Sequence, residues 1–169
     1  PLSIKGYCDP IELRRQNKQG GGIWIIFKEL LKDKITVLEI GDDDNEQVWI
    51  NIKLGCEDII LGLVYGKQES RTRVNSNFSF FDKIDYYAVE AKNEDKALII
   101  LGDLNVKIGD NIKGNHLKIT NGGKNLMKIV KKRKLDILNA SDKCQGLWTR
   151  VSTTDKCNVN KKAVLDYAL

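Results

Sequence analysis

The chain has 169 residues, of which 41% are hydrophobic and 30% charged, and its 28 Lys and Arg against 23 Asp and Glu give a net charge of +5. This length predicts one domain with a real hydrophobic core, and the absence of a long apolar run excludes a membrane-spanning helix. The small basic excess is compatible with nucleic-acid binding without requiring it.

The beginning of the chain predicts a loop followed by a strand. Residues 2–19 are polar and irregular, which favours a surface loop. The basic residues of this loop either touch a phosphate backbone or are simply solvated. The three glycines at 20–22 mark a turn, and residues 23–28 then predict a strand.

A β-hairpin is predicted next. Residues 35–40 alternate partly between apolar and polar, and residues 48–54 carry apolar side chains on one face at a period of two. The acidic run 41–46 between them forms the tip of the hairpin. It lacks the spacing of a calcium loop, and we expect it to point away from a nucleic-acid groove because its charges would repel phosphates.

A third strand and the first long helix follow. Residues 59–65 are apolar and end in Tyr65, whose hydroxyl lies either at the rim of the core or against a phosphate. The polar loop after this strand carries Arg71 and Arg73. Residues 77–92 show apolar side chains at helical spacing, so they predict a helix that packs on a face of the sheet.

The apolar run 97–101 predicts a strand buried on both faces, and polar residues follow at its end. Because side chains alternate along a strand, Asp103 and Asn105 should share one surface while Leu104 and Val106 pack on the other. A carboxylate can bind a cation or accept a proton from water, and an amide can donate to a phosphate oxygen. The same Gly-Asp-x-Asn pattern is also ordinary turn chemistry, so both interpretations stay open.

A basic helix is predicted for residues 122–134. Its apolar residues form one stripe, and its cationic end either suits the helix dipole or contacts DNA. Residues 135–138 predict a short strand that ends in Asn139.

Two strands are predicted at the end of the chain. One begins at Gly146 and includes Arg150, and the other spans 164–169 and contains Asp166. A carboxylate within an apolar strand is unfavourable unless it has a partner, so Asp166 is a candidate functional residue on physical grounds alone.

The cysteines and the single histidine lack the spacing of a zinc site. These residues are Cys8, Cys56, Cys144, Cys157 and His116. The sequence opens on Pro1 and shows no signal peptide, so we expect a segment of a longer nuclear or cytoplasmic protein. Its thiols are expected to be reduced and buried, with two disulfides as the alternative.

Six short motifs resemble the endonuclease/exonuclease/phosphatase superfamily, and specifically the endonuclease domain of non-LTR retrotransposons. They are Gly-Gly-Ile-Trp-Ile at 21–25, Gly-Leu-Val-Tyr-Gly at 62–66, Gly-Asp-Leu-Asn at 102–105, Asn-Gly-Gly-Lys-Asn-Leu at 121–126, Trp-Thr-Arg at 148–150 and Leu-Asp-Tyr at 165–167. The resemblance implies an α/β fold, a DNase I-like four-layer α/β/β/α sandwich of two packed mixed sheets. Residues 1–169 would form a single domain of this kind that lacks its first strands and its last segment.

The resemblance also implies a catalytic groove at the strand ends, formed by Tyr65, Asp103, Asn105 and Asp166. Magnesium, or manganese in its place, would assist hydrolysis of a phosphodiester in DNA, with Asp103 as a metal contact. Asp103 would orient or deprotonate the water, Asn105 would fix water and phosphate, and Tyr65 would contact the phosphate. Asp166 would support a histidine. Further DNA contacts are expected from Arg71, Arg73, Lys107, Asn139 and Arg150.

The 169 residues do not match the family motifs that supply an asparagine, a metal-binding glutamate and a final Ser-Asp-His. A positioned acid or base is worth about 10² to 10⁴ in rate and a metal several kcal/mol more, so we predict that this fragment alone is inactive or nearly so. The main hypothesis is a DNA endonuclease whose parent polyprotein includes a reverse transcriptase. The alternatives are a non-catalytic relic that binds nucleic acid or protein, and a phosphatase of the same superfamily that acts on a small substrate.

Overall fold

The structure, a computed structural model, describes residues 4–16, 21–43, 46–66, 79–112, 118–141, 150–152, 161–163 and 166–169. Its strands are β1 (Ile11–Arg14), β2 (Gly22–Ile25), β3 (Ile35–Ile40), β4 (Gln47–Leu54), β5 (Glu57–Val64), β6 (Ala97–Asp103), β7 (Arg150–Ser152), β8 (Lys161–Ala163) and β9 (Asp166–Ala168). Its α-helices are α1 (Ser79–Asn93) and α2 (Asn121–Arg133), and short 3₁₀ helices span Glu29–Lys34, Gly109–Asn111 and Leu138–Ala140. Among these residues, no helix is both long and apolar enough to cross a membrane.

Within the described residues, the main sheet has five strands in the order β3-β4-β5-β6-β9. Neighbouring strands are antiparallel except β5 and β6, which run parallel. Parallel neighbours need a crossover connection, and α1 lies in the connection between these two strands. β1 pairs with β2, and β7 pairs with β8, in separate two-stranded sheets. As a consequence, β5 and β6 end at the same edge of the main sheet.

Strand β4 is buried on both faces because the main sheet is covered on both sides. Val48 and Ile50 pack with Leu13 and Ile25 of the β1–β2 sheet. Trp49, between them in sequence, points to the opposite face and is fully buried there. Burial of one such aliphatic side chain contributes about 1.5 to 3 kcal/mol, so β4 stabilises both layers.

The helices α1 and α2 cover the face of the main sheet that carries Trp49. Ile84 and Leu126 are fully buried in this layer, and Trp49 stacks on Tyr87 with 4.1 Å between the ring centroids. The indole lies across Gly62, where a Cβ atom would come within 2.3 Å of the ring. Two packed sheets with helices outside confirm the predicted α/β sandwich, and the described residues form one of its two helical layers.

Both helices occur close to their predicted bounds. α2 begins after Thr120, whose Oγ1 accepts a hydrogen bond from the Gly123 N–H over 3.1 Å. At its end, Arg133 and Lys132 both bind Asp85 of α1. The cations at the end of α2 therefore join the two helices.

Three predictions of local structure are wrong. The loop expected over residues 2–19 contains β1, whose alternate apolar side chains pack on the main sheet. Residues 135–138 do not form a strand, and a 3₁₀ helix begins at Leu138 instead. β6 is not buried on both faces along its whole length, because Leu101 is 37% exposed.

The described cysteines are free thiols. Cys8 is half-buried and Cys56 is exposed, so the expectation of burial is wrong for Cys56. Cys144, Cys157 and His116 lie outside the described residues.

Candidate functional site

Three chain segments meet at one edge of the main sheet. β5 is followed by Tyr65 and Gly66, β6 ends at Asp103, and β9 begins at Asp166. In the register of β6 and β9, Asp103 lies directly opposite Asp166. The Gly66 N–H donates to the carbonyl oxygen of Asp103 over 2.7 Å. This edge therefore brings together the segments that carry the four predicted catalytic residues.

Two glycines allow the backbones to approach this closely. A Cβ atom at Gly66 would lie 2.3 Å from the carbonyl oxygen of Leu104. A Cβ atom at Gly102, where φ is +144°, would lie 1.9 Å from the carbonyl oxygen of Val64. Because a side chain at either position would collide with backbone, these glycines determine the spacing between the ends of β5 and β6.

Asp103 and Asn105 form a tight turn at the end of β6. Oδ1 of Asp103 accepts the Asn105 N–H over 2.9 Å, and Asn105 adopts the left-handed conformation at φ +49°. The Asn105 side chain then donates to the carbonyl oxygen of Gly66 over 2.7 Å. Leu104 and Val106 are buried while Asp103 and Asn105 are half-buried, which is the predicted alternation. The turn interpretation is thus correct, and the turn presents both polar side chains at the sheet edge.

Asp166 lies at the exposed start of β9. The prediction placed it within an apolar strand, but its exposure removes most of the expected desolvation penalty. The next residue, Tyr167, is buried, and its hydroxyl donates to the carbonyl oxygen of Val106 over 3.0 Å. Burial raises the pKa of Tyr167, and the charges of Asp103 and Asp166 act in the same direction. Both carboxylates are therefore close enough to this phenol to affect it.

Tyr65 is held by Arg15, one of the basic residues of the predicted first loop, and by Glu46, the last residue of the acidic run. Its N–H donates to the carbonyl oxygen of Glu46 over 2.8 Å, and the guanidinium of Arg15 lies 5.5 Å from the centroid of its ring. Nε of Arg15 in turn donates to the buried carboxylate of Glu46 over 2.9 Å. The acidic run 41–46 was expected to point away from the groove, and its last residue instead lies against Tyr65.

Five residues are predicted to contact DNA, and the structure describes the side chains of two of them, Lys107 and Asn139. Lys107 is half-buried, and its N–H donates to Oγ1 of Thr120 over 3.2 Å. The Asn139 amide donates to the carbonyl oxygen of Asp166 over 2.7 Å and accepts the Ala168 N–H over 3.0 Å, so it binds the backbone of β9. Arg71, Arg73 and the side chain of Arg150 lie outside the described residues.

Two residues with carboxylate side chains, Asp103 and Asp166, lie in opposed positions at this edge. Among the described residues, no cluster of three or more Cys, His, Asp or Glu side chains could hold a metal ion. Mg²⁺ is usually bound in proteins by one or two carboxylates, with waters and substrate phosphates as the other ligands. Directly opposed residues on antiparallel strands have Cβ atoms about 4.5 to 5.5 Å apart. Asp103 and Asp166 are two residues of the ligand type that Mg²⁺ uses, and they lie in opposed positions of β6 and β9.

No protein-family model and no curated protein matches the chain. Among solved structures, it is similar to the endonuclease domain of TRAS1, a telomere-specific non-LTR retrotransposon, with a TM-score of 0.64 and 20% identity over 98% of this chain and 67% of that one. It is also similar to the Bacteroides thetaiotaomicron VPI-5482 mannosyl-6-phosphatase Bt3783, with a TM-score of 0.58 and 17% identity over 98% of this chain and 62% of that one. The chain thus spans about two thirds of either structure.

An endonuclease domain and a phosphatase therefore share the arrangement of two packed sheets described above. The chain therefore has a DNase I-like fold, as the sequence motifs imply.

Proposed function

We propose that this chain is part of a metal-dependent DNA endonuclease domain of the retrotransposon type, which hydrolyses a phosphodiester bond of target DNA. The observation that carries the proposal is the pairing of Asp103 with Asp166 at the sheet edge, with Asn105 and Tyr65 beside them. The similarity to the TRAS1 endonuclease domain supports this class of reaction. A reverse transcriptase domain in the parent polyprotein belongs to the same proposal, and the flanking coding sequence tests it.

The chemistry of each side chain fits a role in this reaction. Asp103 orients or deprotonates the attacking water, and Asn105 holds the water and a phosphate oxygen. Tyr65 donates a hydrogen bond to the phosphate, where negative charge develops. Asp166 supports the histidine that the family resemblance implies. Asp103 would hold Mg²⁺ or Mn²⁺, which would supply charge neutralisation at the phosphate.

We expect the 169-residue chain on its own to nick DNA slowly or not at all. The resemblance assigns a metal-binding glutamate and a catalytic histidine to motifs that these residues do not match. Nicking of a supercoiled plasmid, in Mg²⁺ and in a chelator, measures this. Robust Mg²⁺-dependent nicking that Asp103→Ala abolishes would overturn the expectation of inactivity and would strengthen the endonuclease assignment.

DNA binding tests the site without requiring turnover. Two carboxylates repel a phosphate unless a cation lies between them, so Mg²⁺ should raise the affinity for a short labelled duplex by about threefold or more. Fluorescence anisotropy with Mg²⁺ and with a chelator measures this increase. Asp103→Asn should abolish it.

Asp95→Asn is the matched control for this experiment. Asp95 is exposed before the opposite end of β6, and its left-handed conformation at φ +52° suits asparagine. This variant should keep the Mg²⁺ dependence of DNA binding. DNA affinity that is the same with and without Mg²⁺ in the unmutated chain, or that Asp103→Asn leaves Mg²⁺-dependent, would contradict the endonuclease proposal.

A small-substrate phosphatase is the second candidate, because a mannosyl-6-phosphatase has the same fold. Release of inorganic phosphate from mannose 6-phosphate distinguishes the two functions. We expect no release, and release that Asp103→Asn abolishes would favour the phosphatase. DNA binding that neither Mg²⁺ nor Asp103→Asn changes would favour the non-catalytic relic.

A further inference from the structure

A buried ion pair joins the β1–β2 sheet to the main sheet beside Tyr65. Nε and Nη2 of Arg15 lie 2.9 Å and 2.8 Å from the same carboxylate oxygen of Glu46. The Glu46 side chain is 2% exposed and that of Arg15 is 20% exposed. Removing a carboxylate from water is unfavourable by several kcal/mol unless a partner compensates it, so Glu46 fixes where the guanidinium lies.

The guanidinium has little freedom to move away from Tyr65. A Cβ atom at Gly21 would lie 2.5 Å from Cζ of Arg15, so the backbone at this glycine passes directly against the guanidinium. Tyr65 lies within cation–π distance of the same group, and its backbone N–H is bound by Glu46. Hydrogen bonding to Glu46 raises the pKa of Arg15, and the Tyr65 side chain contributes in the same direction. Arg15 is therefore a permanent cation in contact with both residues.

We propose that Arg15 is a positioning residue for Tyr65: held by Glu46, it fixes the orientation in which the phenol meets a DNA phosphate. The inference rests on the proposed function, because Tyr65 is the phosphate contact in that scheme. An exposed tyrosine alone samples several rotamers, and an ordered ring loses less entropy when the phosphate binds. Arg15 thus acts through Tyr65 rather than by binding the phosphate itself.

Fluorine NMR of the full chain labelled with 3-fluorotyrosine reports the environment of Tyr65, whose line is assigned from Tyr65→Phe. Arg15→Lys keeps the positive charge but loses the planar guanidinium. Glu46→Gln removes the negative charge that holds the Arg15 guanidinium. Both variants should shift the Tyr65 line. Arg14→Lys is the matched control, because Arg14 is exposed and pairs with Glu12 at the surface, and it should leave the line unchanged.

A double-mutant cycle on DNA affinity separates positioning from general destabilisation. Arg15→Lys should weaken binding of the labelled duplex by about threefold or more, and this loss should disappear in the Tyr65→Phe background. An unchanged Tyr65 line, or an equal loss of affinity in both backgrounds, would overturn the inference. If neither the unmutated chain nor any variant binds DNA, the endonuclease proposal fails. The fluorine line of Tyr65 still decides whether Arg15 orders this residue. Far-UV circular dichroism checks that each variant is folded. If Arg15→Lys does not fold, Glu46→Gln tests the same contact.

Discussion

Asp103 and Asp166 are direct partners across β6 and β9, so two acidic residues lie in opposed positions at the edge of the main sheet. Like charges in opposed positions of an antiparallel pair destabilise the sheet. Removal of either charge should therefore stabilise this end of the sheet.

The first prediction concerns this repulsion. Asp166→Asn should raise the free energy of unfolding by about 0.2 to 1 kcal/mol in the absence of divalent metal, because it removes one of two opposed charges. Urea denaturation in a chelator measures the change. Asp95→Asn, at an exposed turn remote from Asp166, should not raise the free energy of unfolding through this repulsion. High salt screens the opposed charges, so the difference between the two variants should become smaller there. An unfolding free energy lowered by Asp166→Asn would contradict the interpretation.

The second prediction concerns the attachment of β9. The Asn139 amide makes hydrogen bonds with the backbone on both sides of Tyr167, in place of a neighbouring strand. Asn139→Ala should lower the local stability of β9 by about 1 to 2 kcal/mol, since it leaves the N–H of Ala168 unpaired. Hydrogen exchange of the Ala168 amide should accelerate accordingly.

Asn93→Ala is the control for this measurement, because Asn93 is exposed at the end of α1, before the start of β6, whereas β9 pairs with the end of β6. Exchange at Ala168 should be the same in this variant as in the unmutated chain. Unchanged exchange in Asn139→Ala would show that the Asn139 hydrogen bonds do not stabilise β9.

The elements predicted correctly are those with a local signal. The apolar periodicity of β4, β5 and β6 and of both helices is contained within each segment, so sequence alone predicts them. β1 was missed because only Ile11 and Leu13 alternate before the chain turns. Their apolar partners Ile23 and Ile25 after the glycines were the available signal for a hairpin.

The candidate site is predictable only in part. The turn chemistry of Asp103 and Asn105 is local, and the family resemblance added Tyr65 and Asp166. The pair between Arg15 and Glu46 has no local signature, because its members come from different sheets. An acidic run is usually solvated, and only the packed structure reveals that its last carboxylate is buried.

The third prediction is a pH dependence that arises where α1 meets α2. Hydrogen bonds from Arg133, with a smaller contribution from Lys132, lower the pKa of Asp85 to about 2 from its usual 3.8. The ionised form is favoured in the folded state, so the stabilisation is complete above about pH 4 and is lost as the pH falls through about 2. Asp85→Asn should therefore lower the free energy of unfolding by about 1 kcal/mol at pH 7, a modest figure because the pair is partly exposed.

Urea denaturation at pH 7 and near pH 2 tests this linkage. The difference between Asp85→Asn and the unmutated chain should shrink at the lower pH, where Asp85 is protonated in both folded and unfolded chains. A difference that stays constant with pH would mean that the interaction with Arg133 does not depend on the charge of Asp85.

The fourth prediction concerns the close approach of backbones beside the candidate site. Gly66→Ala should lower the free energy of unfolding by about 3 kcal/mol or more, since the new Cβ would lie 2.3 Å from a backbone oxygen that cannot rotate away. Gly55→Ala is the matched control: Gly55 has φ +67° and nothing lies within 4 Å of its Cβ position. That change should lower stability by only about 1 kcal/mol, through backbone conformation alone. Urea denaturation of both variants separates steric collision from backbone strain, and equal losses would show that the segment after β5 can move away from β6 without penalty.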